Sequence, residues 1–151
     1  MIPISVCIIT KNESKKLEKC LKALRSYPFE IIVTDTGSTD NTKAIAAEYA
    51  DRVVDFEWVN DFSAARNFCA SKASHNMILA MDTDEYVTQV DLDKLYTLIE
   101  ENPKGVGELL RMDYFDANGR RNVQEVRITR LYNRNYYTFD RPIHENIVPL
   151  N

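Results

Sequence analysis

The sequence predicts an α/β fold: a mostly parallel central sheet flanked by helices and finished by a C-terminal β-hairpin. Three observations predict it. First, short apolar runs at Ile4–Thr10, Phe29–Val33 and Met77–Met81 alternate with segments of helical period. Second, these runs are unbroken rather than alternating, as in strands buried on both faces of a parallel sheet. Third, the alternation of strand and helix stops near Gly105. Two longer strand-like segments follow, joined by Asp116-Ala117-Asn118-Gly119, a strong hairpin turn.

Taken in order, Ile4-Ser5-Val6-Cys7-Ile8-Ile9-Thr10 is the first strand. Asn12, Glu13 and Ser14 supply helix-start chemistry, and Leu17, Cys20, Leu21 and Leu24 recur at helical spacing. Pro28 closes that region. The strand from Phe29 to Val33 runs into Thr34-Asp35-Thr36-Gly37-Ser38-Thr39-Asp40-Asn41-Thr42, a loop dense in turn and cap residues. A helix from Lys43 to Ala50 follows, with Ser38, Thr39 or Asp40 as its cap. Val53 to Trp58 reads as a short strand. Asn60-Asp61-Phe62-Ser63 opens a helix through Ser74, with Phe62, Ala65, Phe68 and Cys69 as its apolar stripe. After Met77–Met81, Asp91 to Glu101 is a helix burying Leu92, Leu95, Leu98 and Ile99. Glu108 to Phe115 and Asn122 to Tyr132 form the hairpin. The tail from Tyr136 holds one short strand and then Arg141-Pro142-Ile143-His144-Glu145. The aromatic residues of 132–139 are expected in the core and in sheet packing. No internal repeat or linker divides the chain, so 1–151 reads as one domain.

Composition narrows the function classes. Hydrophobic content of 44% and charged content of 28% are ordinary for a soluble globular chain. A net charge of −4 argues against a nucleic-acid binder, and it means an anionic ligand needs a cation or local basic groups. No apolar run approaches the ~20 residues that span a bilayer. The segment Met1–Ser5 lacks the basic start and apolar core of a signal peptide. Cys7, Cys20 and Cys69 have no metal-type spacing and read as buried or half-buried thiols of a reducing compartment. A cytoplasmic location, including the inner face of the membrane, is expected.

The chemistry gathers in three loops: Thr10–Ser14, Thr34–Thr42 and Asp82–Tyr86. Each follows a buried strand, and open α/β sheets bind ligands at those carboxyl ends. Neither G-x-G-x-x-G nor G-x-x-x-x-G-K-[ST] is present. The loops offer Asn, Asp, Thr and Ser for hydrogen bonds, plus the carboxylates of Asp82, Asp84 and Glu85. Oxygen ligands of that kind suit Mg²⁺, Mn²⁺ or Ca²⁺. Asp82 and Asp84 converge on one ion only if the chain turns there, because an extended strand points them apart.

Four motifs occur in order over residues 4–86: Ile4–Glu13, Val33–Thr42, Asp61-Phe62-Ser63-Ala64-Ala65-Arg66-Asn67 and Met81-Asp82-Thr83-Asp84-Glu85. Together they resemble a family 2 glycosyltransferase of GT-A fold, with 1–151 as a minimal or truncated catalytic domain. Arg141-Pro142-Ile143-His144-Glu145 is similar to a His-Glu motif on the acceptor side in one bacterial branch of that family. The resemblance implies transfer of a sugar, with inversion, from a nucleotide-diphosphate donor, UDP-linked, to a glycan, lipid-linked sugar or protein acceptor. It implies that Thr10, Asn12, Glu13, Asp35, Gly37, Ser38, Arg66, Asp82 and Thr83 bind the nucleotide sugar. Within that set Asp35 meets the base, and Arg66 meets a phosphate or a neighbouring carboxylate. It assigns Mn²⁺ or Mg²⁺ to Asp84 and His144, and the catalytic centre to Glu145, as base, and Asp82. Two rival readings are a nucleotidyltransferase, which would carry a Gly-rich basic loop after its first strand, and a non-catalytic sugar-nucleotide-binding domain.

Overall fold

The computed structural model describes residues 3–151. Eight strands and four helices follow in the order β1 (Ile4–Thr10), α1 (Ser14–Leu24), β2 (Glu30–Asp35), α2 (Thr42–Tyr49), β3 (Arg52–Asp55), α3 (Phe62–Ser71), β4 (Met77–Met81), α4 (Leu92–Glu101), β5 (Gly107–Ala117), β6 (Arg120–Asn133), β7 (Tyr137–Asp140) and β8 (Asn146–Pro149). The main sheet has the order β3-β2-β1-β4-β6-β5. β1 pairs in parallel with both β2 and β4, and β6 returns antiparallel to β4. β7 and β8 form a second, two-stranded sheet.

The unbroken apolar runs have the expected consequence. All five residues of β4 are buried, and β1 is buried except at Ile9. Val6 and Ile8 pack on one face with Leu17, Leu21 and Leu24 of α1, while Cys7 packs on the other with Cys69 of α3. These three leucines are fully buried. Each contributes roughly 1.5–3 kcal/mol through its removal from water. Leu21→Ala would cost about 2–5 kcal/mol, because it also leaves a cavity. The β5–β6 turn has φ of 53° at Asn118 and 71° at Gly119, and Ala117 faces Arg120 across it. Positive φ at both central residues is the type I′ geometry that Asn-Gly favours.

Several expected boundaries shift. β3 stops at Asp55 rather than Trp58, and the Phe56 N–H makes the last bond to β2, donating to the Asp35 carbonyl at 2.9 Å. α2 starts after Asn41, which makes no side-chain cap. Asp40 instead accepts from the Thr42 N–H at 2.9 Å. α4 buries none of its residues fully: Leu92, Leu95 and Ile99 are half-buried against the core, and Leu98 is exposed. Phe62 is exposed too, packed edge-on against Trp58. The single strand expected in the tail is a hairpin, β7–β8. Tyr132 and Phe139 meet at 90° in the core as expected, whereas Tyr136 is exposed.

Candidate active site

Hydrogen bonds join the three loops at the carboxyl ends of β1, β2 and β4. The Thr36 N–H donates to the Thr10 carbonyl at 3.0 Å, and the Asn12 N–H to Ser38 Oγ at 2.9 Å. Asn12 Oδ1 accepts from the Thr39 N–H at 2.7 Å, and the Glu13 N–H donates to Thr42 Oγ1. Thr83 Oγ1 donates to Glu13, which ties the first loop to the third. Asn12 therefore joins two loops rather than capping α1. Its φ of 50° is the left-handed conformation that Asn tolerates better than most residues. Asp35 is buried, and its Oδ1 accepts from the N–H groups of Gly37 and Ser38 at 2.9 and 2.8 Å. Gly37 has φ of 119°, which favours glycine. Asp35 Oδ2 and Thr10 Oγ1 are buried with no hydrogen-bond partner among the described residues.

The carboxylate cluster sits where the chain turns, with the Glu85 N–H donating to the Asp82 carbonyl at 3.1 Å. Its members have different partners. Asp82 accepts from Arg66 Nη2 at 2.6 Å and from Arg130 Nη2 at 3.1 Å. Burial disfavours its charge, but the two guanidinium groups outweigh that and hold its carboxyl below the usual range. Glu85 accepts from the Asp82 N–H at 2.9 Å and from Arg130 at 3.2 Å, so it closes the turn. Asp84 is exposed and has no ion-pair or hydrogen-bond partner among the described residues. The thiol of Cys20, beneath the turn, is pushed up to about 12, by burial first and then by Glu85, Asp82 and Asp84.

The Asp61–Asn67 motif holds the C-terminal segment in place. Asp61 caps α3 by accepting from the Ala64 N–H at 3.0 Å. The Phe62 N–H, free at the helix start, donates to the Pro142 carbonyl at 2.9 Å. Ser63 Oγ donates to the Arg141 carbonyl. Asn67 exchanges two 3.0 Å bonds with the backbone of Phe139. Arg66 Nε donates to Glu145 Oε1 at 2.8 Å while its Nη2 holds Asp82. The clamped loop carries two left-handed residues without glycine, Arg141 at 82° and His144 at 54°. Such conformations persist where their surroundings impose them.

A cleft of about 450 Å³ results, lined by Glu13, Arg66, Asp82, Thr83, Asp84, His144 and Glu145 together with Ile9, Lys16, Phe62 and Ile143. That volume lies within the range of small-molecule sites. Seven of the expected site residues meet there. Thr10, Asn12, Asp35, Gly37 and Ser38 lie outside this lining, in the adjoining loops of β1 and β2. Among the described residues no group of three or more His, Cys, Asp or Glu is arranged to hold a metal.

Comparison with known proteins decides the family. The model of Glycosyl transferase family 2 matches residues 5–148. The chain belongs to glycosyltransferase family 2. It is 34% identical to a TPR repeat-containing protein of Synechococcus elongatus, over 96% of this chain and 35% of that protein. It is 30% identical to the lipopolysaccharide core biosynthesis glycosyltransferase LpsC of Rhizobium meliloti, over 98% of this chain and 58% of that protein. The chain thus spans less than two-thirds of the length of these curated relatives. Among solved structures it is similar to S. aureus TarS 1-349 in complex with UDP-GlcNAc. The TM-score is 0.61 and the identity 27%, with 78% of this chain and 36% of that one covered. The GT-A arrangement expected of family 2 is the one observed.

Two features of this family 2 chain lie outside the sequence expectations, the first without a signal and the second with a partial one. Arg130 on β6 bridges Asp82 and Glu85, yet nothing marks it except a charge in a partly apolar strand. The clamp on α3 has a signal: Ser63, Arg66 and Asn67 recur at i, i+3 and i+4, a polar stripe on a helix whose Ala65 and Cys69 are buried. No helix among the described residues is long and apolar enough to cross a membrane.

Proposed function

We propose that this domain transfers a sugar from a UDP-linked donor to an acceptor hydroxyl, with inversion and with the help of a divalent cation. One observation carries the reading: a single cleft at the carboxyl ends of the parallel strands brings Asp84, His144 and Glu145 beside the loops of the nucleotide motifs. Family membership supports the reaction class, and the UDP-GlcNAc held by TarS supports the donor class.

The residues divide the work. Asp35 Oδ2 is a buried acceptor without a partner among the described residues, and the N3–H of a uracil is a donor that suits it. Thr10, Asn12, Glu13, Gly37, Ser38 and Thr83 shape the nucleotide loops around it. Arg66 Nη1 is buried with no partner among the described residues, and it is the nitrogen we assign to the donor. Asp84 and His144 fit a cation of Mn²⁺ or Mg²⁺ type. One carboxylate and one imidazole would supply two of its ligands, short of a closed site. Held there, such an ion would neutralise charge on the departing diphosphate.

Glu145 is the base. Arg66 holds its Oε1, and Oε2 remains free to take the acceptor's proton. The acceptor oxygen then bonds to the anomeric carbon as the bond from that carbon to the diphosphate breaks on the opposite face, and UDP leaves. Asp82, fixed between Arg66 and Arg130, presents its carboxylate to the ribose or the sugar.

The test is turnover of a panel of UDP-sugars with Mn²⁺, read as UDP release. Release from one donor above the rate of a Glu145→Gln variant supports transferase chemistry. Tight donor binding with no release from any donor, in the presence of acceptor extracts, would favour a binding domain instead.

A further inference from the structure

β5 is the outer strand of the main sheet and, among the described residues, pairs with β6 alone. Its eleven residues, GELLRMDYFDA, hold no Pro and no Lys, and its one register shift falls at Gly107/Glu108. From Leu109 onward it therefore presents an unblocked row of backbone donors and acceptors, an edge that native sheets normally guard. Several side chains beside this edge are apolar and exposed. Leu110, Met112 and Tyr114 lie on one face, with Val123 opposite Tyr114 on β6, and Phe115 lies on the other face.

We propose that β5 pairs antiparallel with β5 of a second copy of this chain, about a two-fold axis at Met112, so that two six-stranded sheets become one. Charge selects the register. A two-fold axis perpendicular to the sheet sets even-numbered residues against even and odd against odd. With the axis at Met112, Arg111 faces Asp113 of the second copy, and the pair occurs twice. Leu110 then faces Tyr114, and Leu109 faces Phe115. Moving the axis to Arg111 would oppose two arginines, and moving it to Asp113 would oppose two aspartates. Within one chain Arg111 already donates to Asp113 at 2.7 and 2.9 Å, so the contact becomes a network of four charges. Glu108 faces Asp116 at the two ends, where Arg121 stands opposite Asp116 on β6 and offsets the repulsion.

Sedimentation with charge-swapped variants tests this. The wild-type chain is expected to sediment as a dimer. Arg111→Asp and Asp113→Arg should each weaken association about tenfold or more, since two attractive pairs become repulsive. An equimolar mixture of the two variants should recover the dimer, because each then meets its opposite charge. Met112→Cys should form an intermolecular disulfide on mild oxidation, and Tyr114→Cys should not. Cys7, Cys20 and Cys69 are buried and do not compete. A wild-type monomer at millimolar concentration would overturn the proposal, as would a mixture that stays monomeric although both variants are folded. So would a Met112→Cys variant that cross-links no better than Tyr114→Cys.

Discussion

Arg66 and Glu145 lie 79 positions apart, and the Nε of the first donates to the Oε1 of the second at 2.8 Å. The same guanidinium holds Asp82 at 2.6 Å. One side chain on α3 thus joins the turn after β4 to the loop between β7 and β8. Only a tenth of that side chain is exposed.

Arg66→Ala should therefore destabilise the fold as well as the site. Removing it leaves Glu145 buried and charged without its partner, and leaves Asp82 with Arg130 alone. We expect a loss of about 2–4 kcal/mol, below the full cost of a buried pair because a third of Asp82 meets water. Urea unfolding measures it. A change under about 0.5 kcal/mol would mean that the bridge contributes nothing net.

Asp82 sets the acid limb of stability. Its folded carboxyl titrates below the usual value because of Arg66 and Arg130, despite burial. The unfolded chain therefore binds the proton first. The stabilisation is complete above the ordinary carboxylate range, near ~4, and is lost as pH falls below it. The stability difference between wild type and Asp82→Asn should be constant from pH 7 to pH 5 and shrink towards pH 3. A difference independent of pH would contradict the pairing.

How far the sequence led can be read from individual residues. β1, β2 and β4 were legible because burial on both faces leaves an unbroken apolar run, and a parallel sheet then brings their following loops to one edge. Asn118-Gly119 announced its turn because few other residues accept two positive φ angles. The clamp from Ser63, Arg66 and Asn67 to residues 139–145 was not legible, because a helix face does not name the segment it meets. Arg130 was invisible for the same reason: its partners, Asp82 and Glu85, lie more than forty positions away. The exposure of Leu98 and Phe62 was missed because periodicity gives the direction of a side chain but not what covers it.

Asp35→Asn should separate base recognition from loop structure. The amide oxygen can still accept from Gly37 and Ser38. The amide nitrogen replaces the unpartnered Oδ2 with a donor, which opposes a uracil N3–H. UDP and free uridine should weaken by a similar factor, about tenfold or more, as expected for one lost buried hydrogen bond. A loss confined to UDP would move Asp35 to the phosphate side.

His144 and Glu145 should divide binding from chemistry. Glu145→Gln is expected to remove transfer and leave UDP-sugar affinity unchanged. His144→Ala should weaken binding in Mn²⁺ and leave binding in EDTA unchanged. Calorimetry and single-turnover assays separate the two. Weaker donor binding in Glu145→Gln, in step with its rate, would make Glu145 a donor ligand rather than a base.

The cation's role at Asp84 is tested most directly by calorimetric titration of UDP into wild type and Asp84→Ala, each in Mn²⁺ and in EDTA. Asp84 is exposed and has no partner to lose among the described residues, so the variant should match wild-type stability within about 0.5 kcal/mol. Mn²⁺ should strengthen UDP binding to wild type and make no difference to Asp84→Ala. Equal affinity of wild type for UDP in Mn²⁺ and in EDTA would contradict it.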